Sequence, residues 1–171
     1  GGGDILPALQ KGTIDAAEWC CPKPDSVFGF QKVLKHYYLQ GLHQVVVNAD
    51  LYINGKVWRG LTKHERKAME VAADASLVKS MSYRIYENGK ALKDLTENHG
   101  VILHDTPSDY FPAYMAAAKK SLETNAKKNA FFAEVWQSQK DFADIAVPFW
   151  SGAQMSNAKL GMAHADTLKK K

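Results

Sequence analysis

The sequence predicts an α/β fold in which long helices outnumber short strands. Apolar residues recur at helical spacing over about residues 62–98, and short apolar runs typical of strands occur at 42–54 and 101–104. The order helix, strand, helix, strand, long helix, strand, helices is an α/β pattern. These strands are too few for a complete sheet, so we expect partner strands upstream of Gly1.

Short elements separated by glycine and proline are predicted before residue 60. Gly12 is placed to end the first helix, and Pro22 and Pro24 mark a break. The predicted elements are a helix over 5–11 capped by Asp4, a strand over 13–19, a helix from Ser26 to about 35, a strand over 42–54, and a brief helix near 57–59 after the Asn54-Gly55 turn.

Longer helices are predicted in the remainder. Thr62 and Glu65 have the spacing of a capping box, which opens the long helix to about residue 98, and Gly100 stops it. The further predictions are a strand over 101–104, a helix capped by Ser108, a helix over 129–144 broken by Pro148, and an irregular tail that becomes weakly helical at 157–169.

Composition excludes several protein classes. The hydrophobic fraction of 46% and charged fraction of 23% are those of a globular protein. No apolar run approaches the roughly 18 residues of a membrane span. The net charge of +4 comes largely from lysine pairs and the last three residues, without interleaved aromatic residues, so no nucleic-acid partner is expected.

Polar residues at the ends of the predicted strands are the candidate ligand-binding residues. Glu18 ends the first strand, where α/β folds place ligand groups, and its carboxylate suits sodium or calcium. His43 and Gln44 open the next strand, and Trp19 could cover a cleft. The alternatives are a surface position for Glu18, a solvated strand end for His43 and Gln44, and packing in the core for Trp19.

A thiol enzyme is the second hypothesis. Cys20 or Cys21 could act as nucleophile with His36 or His43 as base. Buried inert thiols are commoner. A bridge between these adjacent cysteines would strain the peptide that joins them.

Residues 2–19, with the sequence GGDILPALQKGTIDAAEW, resemble the mid-chain signature of solute-binding proteins of TRAP (tripartite ATP-independent periplasmic) transporters. The closest subgroup binds 2-oxo acids and related monocarboxylates. The resemblance continues through residues 29–33, 37–38, 41–44, 53–54 and Trp58. It is specific over about the first 60 residues and then follows mainly the helical pattern.

This resemblance implies part of a two-lobed periplasmic binding protein, with the N-terminal half missing. Residues 1–171 would be its C-terminal portion, with strands in both lobes, the long helix at about 62–98 and the C-terminal helices. The implied function is a periplasmic, non-enzymatic receptor that delivers an organic acid to TRAP membrane subunits. Some subgroup members exchange a C-terminal helix, which makes a homodimer possible, and a dimerisation module is a third hypothesis.

The resemblance also implies a site in which a sodium or calcium ion bridges the ligand. Glu18 is implied as a carboxylate ligand of the ion and Trp19 as a neighbour through its backbone carbonyl. Gln44 falls where the subgroup has another cleft-facing polar residue, often acidic, and Cys20-Cys21 replaces smaller or aliphatic residues. The clamp arginine of the family lies upstream of Gly1, so we expect the isolated chain to bind its solute weakly or not at all.

Overall fold

A computed structural model describes residues 1–39, 41 and 50–169. The chain divides into two compact units, Gly1–Thr106 and Pro107–Lys171. The first unit contains α1 (Gly2–Gln10), α2 (Pro22–Phe28), a 3₁₀ turn (Phe30–Lys32), β1 (His36–Tyr38), α3 (Gly55–Gly60), α4 (Lys63–Asn98) and β2 (Ile102–His104), and the second contains α5 (Tyr110–Lys128) and α6 (Ala130–Lys169).

The end of α1 confirms the predicted role of Gly12. Its φ of 67° is in the left-handed region, which glycine adopts without steric cost. The Gly12 amide donates to the Leu9 carbonyl and the Thr13 amide to the Ala8 carbonyl, which is the Schellman pattern. The chain therefore leaves α1 sharply toward the segment that carries Glu18.

The predicted strand over 13–19 is wrong, because this segment is irregular. A strand requires ladder bonds to a partner, and the described residues supply none here. The predicted strand over 42–54 lies largely outside the described residues, and its last part, from Asp50 to Asn54, is also irregular.

The helix predicted from Ser26 to residue 35 is also displaced. The helix α2 begins at Pro22, since proline is favoured in the first turn, where no amide donor is needed. Gly29, with φ of 86°, ends it, and the chain then enters the 3₁₀ turn. The two prolines thus mark a helix start rather than a break.

Within the residues that the structure describes, the sheet consists of one parallel pair of short strands. In β1 and β2, His36 pairs with Ile102 and Tyr38 with His104. The prediction for 101–104 is confirmed within one residue, whereas β1 was missed, because three residues show too little alternation to identify a strand.

The boundaries of α3 and α4 follow the sequence signals. The Asn54 side chain accepts hydrogen bonds from the Lys56 and Val57 amides at 2.9 and 3.4 Å, so the brief predicted helix forms. Thr62 and Glu65 form the predicted capping box: the Glu65 amide donates to Thr62 Oγ1 at 3.2 Å and the Thr62 amide to Glu65 Oε2 at 2.7 Å. Gly100, with φ of 63°, follows the helix end.

The core of the first unit lies at the C-terminal end of α4. Leu95 is 2% exposed, and Ala91 and Val101 beside it are buried; Leu9 in α1 is the other buried apolar residue of the described chain. The helix α2 packs on α4. The Lys23 amide donates to Asn88 Oδ1 at 2.9 Å and fixes the start of α2 against α4.

The second unit is a pair of packed helices, α5 and α6. The predicted cap Ser108 is one residue early, since Asp109 precedes α5. The predicted break at Pro148 and the irregular tail are wrong, because α6 continues through Pro148. Proline removes one i→i−4 bond there, and alanine, methionine and leucine, which favour helix, continue beyond it.

Of the helices in the described chain, none combines the length and the apolar character that crossing a membrane requires.

Candidate functional site

A cleft of about 750 Å³ lies in the first unit. The cleft is lined by the irregular segment from Asp15 to Cys21, which forms the cleft wall considered below, and by β1 and the residues just before it. Leu95 and Val101 contribute apolar surface from the core. The failed strand prediction therefore coincides with the cleft wall, where backbone groups remain available to a ligand.

Glu18 lies on this wall and is exposed. Its carboxylate thus lies where a hard cation in the cleft could reach it. Across the described ranges, no group of three or more histidine, cysteine, aspartate or glutamate side chains could hold a metal ion. His43 and Gln44 lie outside those ranges, so the predicted ligand set of Glu18, Trp19 and Gln44 stays a prediction.

The Trp19 ring packs against other aromatic rings. Its centroid lies 4.6 Å from that of Phe28 in an edge-on arrangement and 6.2 Å from that of Phe30. It also lies against Gly2, where an added Cβ would come within 2.6 Å of the indole. The alternative that this ring packs in the protein therefore describes the structure, and a ligand-binding role for Trp19 stays a prediction.

The backbone carbonyl of Trp19 fits such a role. Among the residues that the structure describes, no backbone amide donates to it. A carbonyl oxygen beside a carboxylate is the donor set that sodium and calcium prefer. The ring is held by packing, so this carbonyl has a fixed place on the wall.

Asp25 also lines the cleft and holds the same wall, and sequence reasoning missed it. It is 8% exposed and accepts hydrogen bonds from the Cys21 amide at 3.2 Å and from the Tyr37 hydroxyl at 2.6 Å. Burial raises the pKa of the Asp25 carboxyl, against the opposing effect of these hydrogen bonds. Burial and the Asp25 carboxylate raise the pKa of Tyr37 well above its usual range.

This anchor joins α2 to β1 across the base of the cleft. The only local sequence signal was an acidic residue in the first turn of a helix that begins with proline. The partner Tyr37 is 12 residues away, so the pair could not be read from local spacing.

Cys20 and His36 do not fit the roles of nucleophile and base that the thiol-enzyme hypothesis gives them. Burial, and then the hydrogen bond with Cys21, raise the pKa of Cys20 to about 11, whereas a catalytic thiol needs a lowered pKa. His36 Nδ1 lies 2.8 Å from His104 Nε2, so this histidine is paired with another across the strands. His43, the other predicted base, lies outside the described residues.

The chain matches the family model described as bacterial extracellular solute-binding protein, family 7 (DctP), over residues 2–129. It is also 32% identical over 146 residues to the monocarboxylate 2-oxoacid-binding periplasmic protein of Nostoc sp. (strain PCC 7120 / SAG 25.82 / UTEX 2576). That match covers 82% of this chain and 38% of the relative.

Solved TRAP solute-binding proteins have the same fold. One from Bordetella bronchiseptica RB50, a mixed-occupancy dimer with calcium and picolinate, is 26% identical with a TM-score of 0.77, over 99% of this chain and 50% of that one. One from Colwellia psychrerythraea, with bound calcium and pyruvate, is 27% identical with a TM-score of 0.76, over 94% and 48%. One from Pseudoalteromonas atlantica T6c, with bound sodium and pyruvate, shows the fold at 24% identity and a TM-score of 0.74, over 91% and 47%.

The chain spans about half the length of these solved structures and a smaller part of the Nostoc relative. The predicted resemblance to TRAP solute-binding proteins and the predicted fold class are confirmed by these matches. The chain belongs to the bacterial extracellular solute-binding protein family 7, the DctP family.

Proposed function

We propose that this chain forms one wall of a periplasmic receptor that binds a 2-oxo acid or related monocarboxylate and delivers it to the membrane subunits of a TRAP transporter. The observation that carries the proposal is the cleft wall itself, which contains the exposed Glu18 and its sequence neighbour Trp19. Sequence similarity to the Nostoc protein and the Colwellia structure supports the ligand class.

The proposed site contains a sodium or calcium ion between the protein and the acid. Glu18 and the Trp19 carbonyl would hold the ion, with Gln44 as a third ligand. The ion would supply positive charge to the carboxylate and the neighbouring oxo group of the solute. His43 is proposed beside the solute, next to Gln44 in sequence.

The receptor acts by binding and involves no catalysis in this proposal. The support is the raised pKa of Cys20 and the pairing of His36 with His104, which disfavour this cysteine and this histidine as the nucleophile and base of the thiol-enzyme alternative.

The experiment is a calorimetric titration of pyruvate into a chimera in which this chain replaces the matching half of the Colwellia protein. We expect binding that requires calcium or sodium and that Glu18→Gln weakens by about tenfold or more, since even the loss of an outer-shell partner of a metal ligand typically costs about that much. Glu70→Gln, on the exposed surface of α4, is the matched control and should leave binding unchanged. Equal affinities for both variants would reject the Glu18 assignment.

A homodimer is a second proposal, and exposed apolar residues on α6 favour it. Phe142 and Phe149 are 72% and 73% exposed and Ile145 is 81% exposed, a pattern typical of a covered interface. Light scattering of the purified protein should give twice the chain mass. A monomer at micromolar concentration would contradict the dimer and leave the solute site untouched.

A further inference from the structure

The two cysteines of the chain are adjacent and lie on the cleft wall. Their sulfur atoms are 3.0 Å apart. Cys20 is exposed and Cys21 is half-buried, and both line the cleft. A small reagent that enters the cleft can therefore reach the pair.

Folding brings these sulfurs together more closely than adjacency alone requires. Cys21 has extended backbone, with φ of −168° and ψ of 164°, and neighbouring side chains along an extended chain point to opposite sides. The amide of Cys21 is held by Asp25, and Arg84 Nη2 donates to Cys21 Sγ at 3.7 Å. These contacts fix Cys21, and Cys20 turns toward it.

We propose that Cys20 and Cys21 form a redox modification site, which an organic disulfide converts into a vicinal disulfide. In the first step one protein sulfur attacks the reagent, breaks its S–S bond and releases one thiol, which takes the proton of the attacking cysteine. The second protein sulfur then attacks the mixed disulfide at the first, forms the Cys20–Cys21 bond and releases a second thiol with the second proton. Two electrons pass from the protein sulfurs to the reagent.

The distance between the sulfurs favours the second step over accumulation of the mixed disulfide. Reacting atoms about 3–3.5 Å apart are close to the attack geometry, and here the gap is 3.0 Å. The resulting ring is strained, since adjacent Cα atoms are about 3.8 Å apart and disulfides usually span roughly 4.4–6.8 Å. Strained disulfides are readily reduced, so the modification is reversible.

Ring closure would also act on the solute site, and this consequence rests on the proposed function. The ring includes the backbone directly after Glu18 and Trp19, and it ends at the residue held by Asp25. Closing it changes the wall that carries the proposed metal ligands. We expect the oxidised protein to have a different pyruvate affinity from the reduced protein.

The test is to treat the native chain with oxidised glutathione, quench it with acid and measure its mass and free thiols. We expect loss of both thiols, a mass decrease of two hydrogen atoms, and full reversal by dithiothreitol. Cys20→Ser and Cys21→Ser should each accumulate a single glutathione adduct instead. Because the chain has two cysteines, these products are unambiguous.

A chain unfolded in urea is the control for sequence adjacency. We expect a larger share of the vicinal disulfide in the native chain at the same reagent concentration. Glutathione adducts or disulfide-linked dimers as the main wild-type product would overturn the proposal, and so would equal yields in the native and unfolded chains. No solute is present, so this result is independent of the receptor proposal.

Discussion

The C-terminal end and the middle of the apolar pattern on α4 have opposite surroundings. Near its C-terminal end, Leu95 is 2% exposed, packed beside Val101 and the cleft. In its middle, Leu77 and Ile85 are 72% and 68% exposed on the same helix. Both stretches contributed to the same helical periodicity, so periodicity predicts the helix but does not predict where along its length a partner covers it.

This difference separates the part of the molecule that positions the site from the part that does not. The covered end of α4 lines the cleft through Leu95, and the cleft wall is held by Asp25, which is bonded to Tyr37, and by the packed Trp19 ring. Substitutions in the regions that position the site should therefore have larger effects than substitutions in the exposed middle of α4, even where the residue type is the same.

The largest contrast is expected between Leu95→Ala and Leu77→Ala. Removing the buried Leu95 side chain should lower the free energy of unfolding by about 2–5 kcal/mol, because it leaves a cavity. Leu77→Ala should change it by no more than about 0.5 kcal/mol. Urea unfolding followed by far-UV circular dichroism measures both, and similar losses would show that α4 is covered evenly.

A smaller contrast is expected between two aspartates. Asp25→Ala leaves the Cys21 amide and the Tyr37 hydroxyl without their shared acceptor, at a cost of about 1–3 kcal/mol. Asp74→Ala, on the exposed middle of α4, should have almost no effect. The same unfolding assay applies. An Asp25 variant as stable as the Asp74 variant would contradict the role of Asp25 as the anchor of the cleft wall.

The start of α4 should contribute less again. Thr62→Ala breaks the capping box and should cost about 1 kcal/mol. Ser108→Ala is a sharp comparison, because the sequence predicted a cap there and the structure places the start of α5 at Asp109. We expect the Ser108 variant to unfold at the same urea concentration as wild type. A loss of unfolding free energy equal to that of Thr62→Ala would instead support Ser108 as the helix cap.

The smallest effect is a pH dependence from Asp25. Burial raises the pKa of the Asp25 carboxyl in the folded state above its value in the unfolded state. At pH values between the two, the folded state therefore binds more protons than the unfolded state. The contribution of Asp25 to stability is therefore greatest below the unfolded pKa and is lost as pH rises through the folded pKa. Asp25→Asn should flatten this slope relative to wild type in urea unfolding at stepped pH, and parallel profiles would contradict it.

Local signals predicted the elements that depend on local chemistry. The capping box at Thr62 and the glycines at 12 and 100 fixed helix ends correctly, because each acts through bonds within a few residues. Pro148 led to a wrong prediction. Its effect is limited to the loss of one backbone hydrogen bond, and the residues on both sides of it favour helix, so α6 continues through it.

The site was predictable only in part, because its supports are distant in sequence. Glu18 and Trp19 were candidates from the predicted strand end, their specific roles came from the family resemblance, and the cleft lies where that strand failed to form. The bond from Tyr37 to Asp25 and the contact of Arg84 with Cys21, 63 residues away, depend on tertiary packing that no local pattern encodes.

The most direct test of the account is metal-dependent binding of pyruvate by the Colwellia chimera, measured by calorimetry for wild type and Glu18→Gln. We predict that wild-type binding disappears when the cation is removed, and that Glu18→Gln binds about tenfold more weakly or worse. Binding that survives both changes at wild-type affinity would contradict the claim that this cleft wall holds the ion.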